Sequence, residues 1–199
     1  MARTRASDFE EKRQLILTSA AAVFAEQGME KASMSQIATH CHVSKALLYH
    51  YYPSKGALIL GIIHAHLSDL DAAVEAANDA ALSPENRLHG LIWAVLDSYR
   101  GADNHHKVQL NGMDALTDEQ KSEIRRIERR IVEPFTQVIR ELNPALDNKD
   151  RPLIMPVAMS LFGMLNWVYM WFRDGGAMTR EDYARLATTL IMEGLKAVR

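Results

Sequence analysis

The chain has little of what marks a secreted, strand-built or catalytic protein. One cysteine, Cys41, stands among 199 residues; it excludes an intramolecular disulfide framework and suits a reducing compartment. The N-terminal MARTRASDFEEKRQ is polar and of mixed charge, with no apolar core of a signal peptide behind it. Period-two strand patterns are almost absent. No glycine-rich phosphate loop, zinc motif or convincing nucleophile–base pair occurs, so nothing supports an enzyme or a resident cofactor. A large charge of either sign is also missing: the formal net charge is −2. That small charge is nonetheless uneven, since residues 1–60 carry +2 and the remainder −4. A weakly basic head on an acidic body suits a head that meets a polyanion.

What is present is helical periodicity nearly throughout, which predicts an all-α fold with ample core for this length. A first helix is expected from Ser7-Asp8, with Ile16, Ala20, Val23 and Phe24 on one face and Gly28 as its stop. Ser33 caps a second helix, Ser44 a third from Lys45 to about Tyr51, and Ser54 a long fourth from Lys55 towards Ala80. Further helices are expected from Ser83 to Tyr99, less clearly from His106 to Leu116, and from Thr117-Asp118 through a charged run kinked at Pro134. Residues 153–172 carry no charge and are long enough to span a bilayer. Pro156, Ser160, Gly163 and Asn166 dilute that run and no second span accompanies it, so it reads as a helix packed on both sides in a soluble dimer. Thr179 caps a last helix striped by Tyr183, Leu186, Ala187, Leu190, Ile191 and Leu195.

Residues 33–58, SMSQIATHCHVSKALLYHYYPSKGAL, hold two short helical patterns split by a turn. This is the form of a helix-turn-helix, which lays its second helix in the DNA major groove. Lys45 and Ala46 fall in the first turn of that helix; lysine donates to guanine O6 or N7, and alanine fits a thymine methyl. Tyr49, His50 and Tyr51 follow one turn later, in reach of phosphate oxygens. Lys55 opens the next helix, and Ser33 and Ser35 open the preceding one, where N–H groups suit phosphate. For Tyr49 and His50 packing is the competing role, and Leu48 and Tyr52 read as core. His40-Cys41-His42 has metal-ligand residue types, but adjacent residues do not share one tetrahedral ion easily, and Cys41 reads as a packed residue.

The segment from Glu10 to His66 resembles the DNA-binding domain of the TetR family of bacterial transcriptional regulators. The resemblance rests on Ile16, Ala20, Phe24 and Gly28, then Ile37-Ala38, Val43-Ser44-Lys45, and Leu48-Tyr49-His50-Tyr51-Tyr52 before Ser54-Lys55 and Leu58. It implies a three-helix DNA-binding domain over 1–54, with its reader at about 33–52, and an effector-binding and dimerisation domain over 55–199. It places Lys45, Ala46, Tyr49 and Lys55 at positions that touch DNA; Ser44 belongs to the same motif. One departure stands out: His42 occupies the turn position where glycine is usual. Either the turn differs here, or His42 takes a positive φ.

The resemblance further implies a cytoplasmic homodimer on a palindromic operator, with the last two helices pairing across the twofold. Gly163-Met164-Leu165-Asn166-Trp167-Val168-Tyr169-Met170-Trp171-Phe172 and Gly175-Gly176 are similar to the branch that responds to acyl-CoA thioesters in fatty-acid, sterol or aromatic-acid catabolism. An acyl-CoA needs an apolar tunnel and cations for its phosphates. Trp93, Met113, Phe135, Met159, Phe162, Asn166, Trp167 and Met170 are the candidate tunnel residues. Arg125-Arg126 and Arg129-Arg130 are the candidate cations, though Glu123, Glu128 and Glu133 equally make this helix a solvated, ion-paired face. His105-His106 reads as an exposed loop pair, with the mouth of a pocket as the alternative. The expected mechanism is a repressor in which effector binding shifts the helix from Lys55 onward and so the spacing of the two readers. A non-CoA lipophile or drug as ligand, and an activator rather than a repressor, are the alternatives; the sequence names neither operator nor effector.

Overall fold

The computed structural model describes the backbone of residues 2–198 and the side chains of residues 9–198. Ten α-helices are assigned among them: α1 (Ala2–Gln27), α2 (Met34–His40), α3 (Lys45–Tyr51), α4 (Lys55–Ala77), α5 (Pro84–Ser98), α6 (Asp103–Asn111), α7 (Asp118–Leu142), α8 (Ile154–Asn166), α9 (Val168–Trp171) and α10 (Arg180–Ala197). Short 3-10 turns follow α6 and α7, and among the described residues β-type pairing is confined to an isolated bridge between Asp147 and Pro152.

The boundaries follow local chemistry. Ser33, Ser44, Ser83 and Thr179 each accept a hydrogen bond from the backbone N–H three residues on, satisfying a donor that the first helical turn leaves open. Gly28 ends α1 at φ 82°, a left-handed conformation that glycine enters without steric cost. The N-terminal boundary of α1 differs from expectation: the helix begins at Ala2, not near Ser7-Asp8, whose side chains lie outside those described. α4 ends at Ala77 rather than Ala80, and α6 starts earlier than His106, just after Gly101 at φ 70°. The uncharged run 153–172 is not one helix; it breaks at Trp167, where neither proline nor glycine stands.

Packing divides the chain into two units: residues 1–67 with 102–125, and residues 68–101 with 126–199. The expected boundary after residue 54 therefore falls inside the first unit. The reason is the start of α4, whose Leu58, Ile59, Ile62 and Ile63 are fully buried. Each such side chain contributes on the order of 1.5–3 kcal/mol when removed from water. In this unit α1 packs on α2 and α6, and α2 packs on α3. Gly112 permits a close approach: a Cβ there would lie 2.5 Å from the Val108 carbonyl oxygen and 3.0 Å from Ile59. Gly61 does the same for the Tyr52 ring, 2.7 Å from where its Cβ would stand.

His105 and His106 correct the reading of an exposed loop pair. Both lie in α6, and His106 is buried. Its ring meets that of His66 edge-on at 5.7 Å, while the His105 ring lies 6.3 Å from His66. Burial, then the neighbouring His106 and His105, hold the His66 pKa down at about 3. A second correction concerns apolar length. Besides the α8–α9 run, α4 is also long and apolar enough to cross a membrane; its apolar side chains are instead consumed in the core of the protein.

In the second unit α10 lies along α5, and α8 contacts both. One core cluster joins Ile139, Leu146, Ile154, Ala158 and Leu195. Buried polar side chains tie these helices at defined points. Arg180, at the start of α10, donates to the Leu96 carbonyl of α5 at 3.0 Å and grips Asp174 through two 2.9 Å bonds. Arg87 of α5 pairs with Glu141 of α7 at 2.6 Å.

Gly112→Ala is expected to lower the unfolding free energy by about 2 kcal/mol, because the Cβ meets backbone that cannot rotate away. An unchanged denaturation midpoint would contradict this packing. The His66 shift has a definite sign. Below the ordinary histidine pKa of 6.5 the unfolded chain binds a proton that folded His66 refuses until about pH 3, so stability falls as pH drops through that window. Between pH 6.5 and 5 the loss is about 2 kcal/mol, read as a fall in urea midpoint that His66→Leu removes.

Candidate nucleic-acid interface

The structure builds α3 as a two-faced helix. Leu48 is fully buried and Tyr52, its C-cap, nearly so, which bears out both as core. Lys45, Ala46, Tyr49 and His50 are exposed, and their one-, three- and four-residue spacing lines them along one side. The Lys45 ammonium lies 5.9 Å from the centre of the Tyr49 ring. Tyr51 is half-buried and stacks on Phe9 of α1 with centroids 4.7 Å apart; His50 meets Tyr51 edge-on at 5.9 Å. Phe9 was not legible as part of this surface, because nothing in its local sequence pairs it with a residue 42 positions away.

The turn between α2 and α3 resolves the question of His42. His42 N–H donates to Thr39 O at 3.1 Å and Val43 N–H to Ala38 O at 3.0 Å. These two bonds form a Schellman ending, whose central residue must be left-handed. His42 occupies that place at φ 53°, so the turn keeps the glycine-type geometry. A side chain in this conformation costs about 1–2 kcal/mol relative to glycine.

The serines divide by occupancy. The Ser33 hydroxyl accepts from Gln36 N–H and donates to Gln36 Oε1 at 2.8 Å, so capping uses it fully and it is corrected from a phosphate donor to a structural cap. Ser44 accepts from Leu47 N–H at 3.1 Å and is exposed. Ser35 is exposed at the start of α2.

Lys55 requires the largest correction. Its ammonium donates to three backbone carbonyls, Met29 at 2.7 Å, Glu30 at 3.1 Å and Ala32 at 3.2 Å. An ammonium has three protons, and all three are committed. Lys55 thus fastens the first turn of α4 to the loop between α1 and α2, and is not a free phosphate ligand.

The candidate effector residues fall in both units. Met113 lies in the first unit and the other seven in the second. Phe135 and Phe162 are buried and meet edge-on at 4.9 Å. Asn166 accepts a 2.8 Å hydrogen bond from the buried Tyr99 hydroxyl, a partner that sequence reasoning missed. Burial drives the Tyr99 pKa upward. Trp93 is half-buried. Met159, Trp167 and Met170 are corrected outright: they are 43%, 57% and 48% exposed, not turned into a tunnel. With Met155, Trp171, Leu186 and Leu190 they make α8, α9 and α10 rich in surface-exposed apolar groups. Of the candidate cations, Arg130 is held by Asp71 through bonds of 2.9 and 2.7 Å. Among the described residues no group of acidic, histidine or cysteine side chains is arranged to hold a metal ion.

Residues 16–62 match the model of "Bacterial regulatory proteins, tetR family", and residues 81–195 match a "Tetracyclin repressor-like, C-terminal domain". The HTH-type transcriptional repressor KstR2 of Mycobacterium tuberculosis is 25% identical over 184 residues, covering 90% of both chains. A TetR-family transcriptional regulator from Bordetella parapertussis superposes with TM-score 0.84 at 28% identity, over 94% of this chain and 97% of that one. AibR, solved with isovaleryl coenzyme A and operator DNA, superposes with TM-score 0.76 at 24% identity, over 90% and 97%.

Lys55→Ala is expected to cost about 2 kcal/mol of stability, the scale of charge-assisted bonds to backbone carbonyls. The salt dependence of DNA affinity should stay unchanged in it. A salt slope lower by about 0.9, the signature of one lost phosphate contact, would restore the phosphate role.

Proposed function

The chain belongs to the tetR family of bacterial regulatory proteins, and from that premise we propose a homodimeric repressor whose grip on operator DNA is released by a small acyl-thioester effector. DNA-binding transcriptional regulation is the family's activity, and no enzyme chemistry is called for. The observation that carries the finer reading is the exposed row Lys45, Ala46, Tyr49 and His50 over the buried anchor Leu48. In this reading Lys45 and Ala46 meet base edges, and Tyr49, His50, Tyr51 and the free hydroxyl proton of Ser44 meet phosphates, with Ser35 beside them.

One reader covers few base pairs, so two are needed for a selective site, and a twofold dimer matches a palindrome. The exposed apolar residues of α8–α10 supply the dimer face: Met159, Trp167, Met170, Leu186 and Leu190 are too many large apolar groups to leave in water. The effector then falls to the residues that do turn inward, Phe135, Phe162 and Trp93 with the Tyr99–Asn166 pair as the polar element. AibR carries isovaleryl coenzyme A, which favours a thioester here over a free acid. α4 is one continuous helix with Lys55–Leu67 in the first unit and its remainder in the second, which gives an effector a covalent route to the reader. The effector acts only through its different affinity for the two states. Such a regulator works in the cytoplasm, on the chromosome and not in a membrane.

The test is a mobility shift on the DNA upstream of its own gene, with acyl-CoAs, the free acids and CoA as competitors. A retarded band released by a thioester but not by its acid is expected. A retarded band that no thioester affects would overturn the effector class, and tighter binding with the thioester would exchange repressor for corepressed or activating behaviour.

A further inference from the structure

The reader is short of permanent positive charge. From Ser33 to Lys55 there is no acidic residue and no arginine, and the lysines are Lys45 and Lys55 alone. Lys55 spends its protons on the carbonyls of Met29, Glu30 and Ala32. Lys45 is left as the one lysine in this stretch free to meet a phosphate. The same stretch holds three histidines, His40, His42 and His50, all exposed. His42 is held left-handed where glycine would sit without strain, and it is the one non-glycine residue with positive φ among those described. Strain kept at a functional surface points to a use for the side chain.

We propose that His40, His42 and His50 are conditional phosphate ligands of the reader, so that protonation of these imidazoles sets the strength of DNA binding. The inference rests on the regulator reading above. An imidazole changes charge between pH 5 and 8, and a phosphate beside it favours the charged form. Full protonation takes the formal charge of the stretch from +2 to +5. The surroundings do not neutralise this change. The groove beside His40 is lined by Val23, Gln27, Ser35, Gln36 and Thr39, none of them charged. On α1, Glu10 is paired with Arg13 at 2.9 Å, with Glu11 and Lys12 beside them and Glu26 at the far end; Glu30 and Lys31 lie in the loop that follows. From α3 itself comes Lys45, from α4 Lys55, and His50 meets the Tyr51 ring. Among the described residues none of the three histidines is in an ion pair.

The experiment measures affinity by fluorescence anisotropy for a labelled duplex that the full-length protein selects from a randomised pool, at pH 6 and pH 8 and over a range of salt. The wild type is expected to bind about tenfold or more tightly at pH 6, with a salt slope steeper by about 0.9 for each phosphate gained. The triple variant His40→Gln, His42→Gly, His50→Gln should lose most of that ratio. His42→Gly alone should melt at a higher temperature, its strain relieved, and yet show a smaller pH ratio; this separates a DNA role from damage to the fold. A flat wild-type profile, or a triple variant that keeps the full ratio, overturns the proposal while leaving the regulator standing. A protein that selects and binds no duplex at any pH overturns the regulator reading and this one with it.

Discussion

Seven residues of helix are too few to hold together in water, and the reader α3 is seven residues long. Its order is therefore borrowed. The Ser44 hydroxyl closes the first turn, Leu48 anchors the middle in the core, and Tyr52 ends it against the space that Gly61 leaves open. The Schellman turn at His42 fixes the angle from α2, and the Lys55 ammonium fixes α4 to the loop ahead of α2. Each side chain on the outer face is free to meet DNA because a different residue has taken over the work of holding the helix.

That division explains how much was legible in the sequence. Caps and stops are local: Ser33, Ser44, Thr179 and Gly28 need only neighbours three or four positions away, and pattern reading finds them. His42 was legible as a question, because a left-handed turn has a known residue preference. Leu48 and Tyr52 followed from helical spacing. Lys55 was misread because charge sign alone does not distinguish three convergent carbonyls from a phosphate, and those carbonyls belong to residues 23 to 26 positions earlier. Nor does periodicity tell which apolar face is covered within the protomer. Met159, Trp167 and Met170 look the same in sequence whether they line a tunnel or face outward; in the structure they are exposed. His106 followed the same rule in reverse: its polar neighbours suggested a loop, while the packing of α6 buried it.

The two units solve the problem of polar burial differently. In the second, Arg180 is buried yet binds an exposed Asp174, whose pKa its hydrogen bonds hold below the usual carboxylate range. Taking an arginine from water is costly unless its protons are matched, and here Asp174 and the Leu96 carbonyl match them. The contribution of the Asp174 charge is present at neutral pH and fades as pH falls through its lowered pKa. The arrangement locates the start of α10 against the end of α5. In the first unit the buried polar groups are His66 and His106, and burial with the neighbouring imidazoles holds His66 neutral.

The first unit consequently meets acid in two opposed ways. In the proposed reading its surface histidines gain charge that a phosphate rewards, whereas His66 resists charge at the expense of the fold. The two responses differ in what can saturate them. The surface term stops growing once each imidazole near a phosphate is protonated. The His66 term keeps growing with each pH unit down to about pH 3. On the proposal above, acid strengthens the hold on DNA while the His66 term weakens the fold, and replacing His66 by an apolar residue of similar size would remove only the second effect.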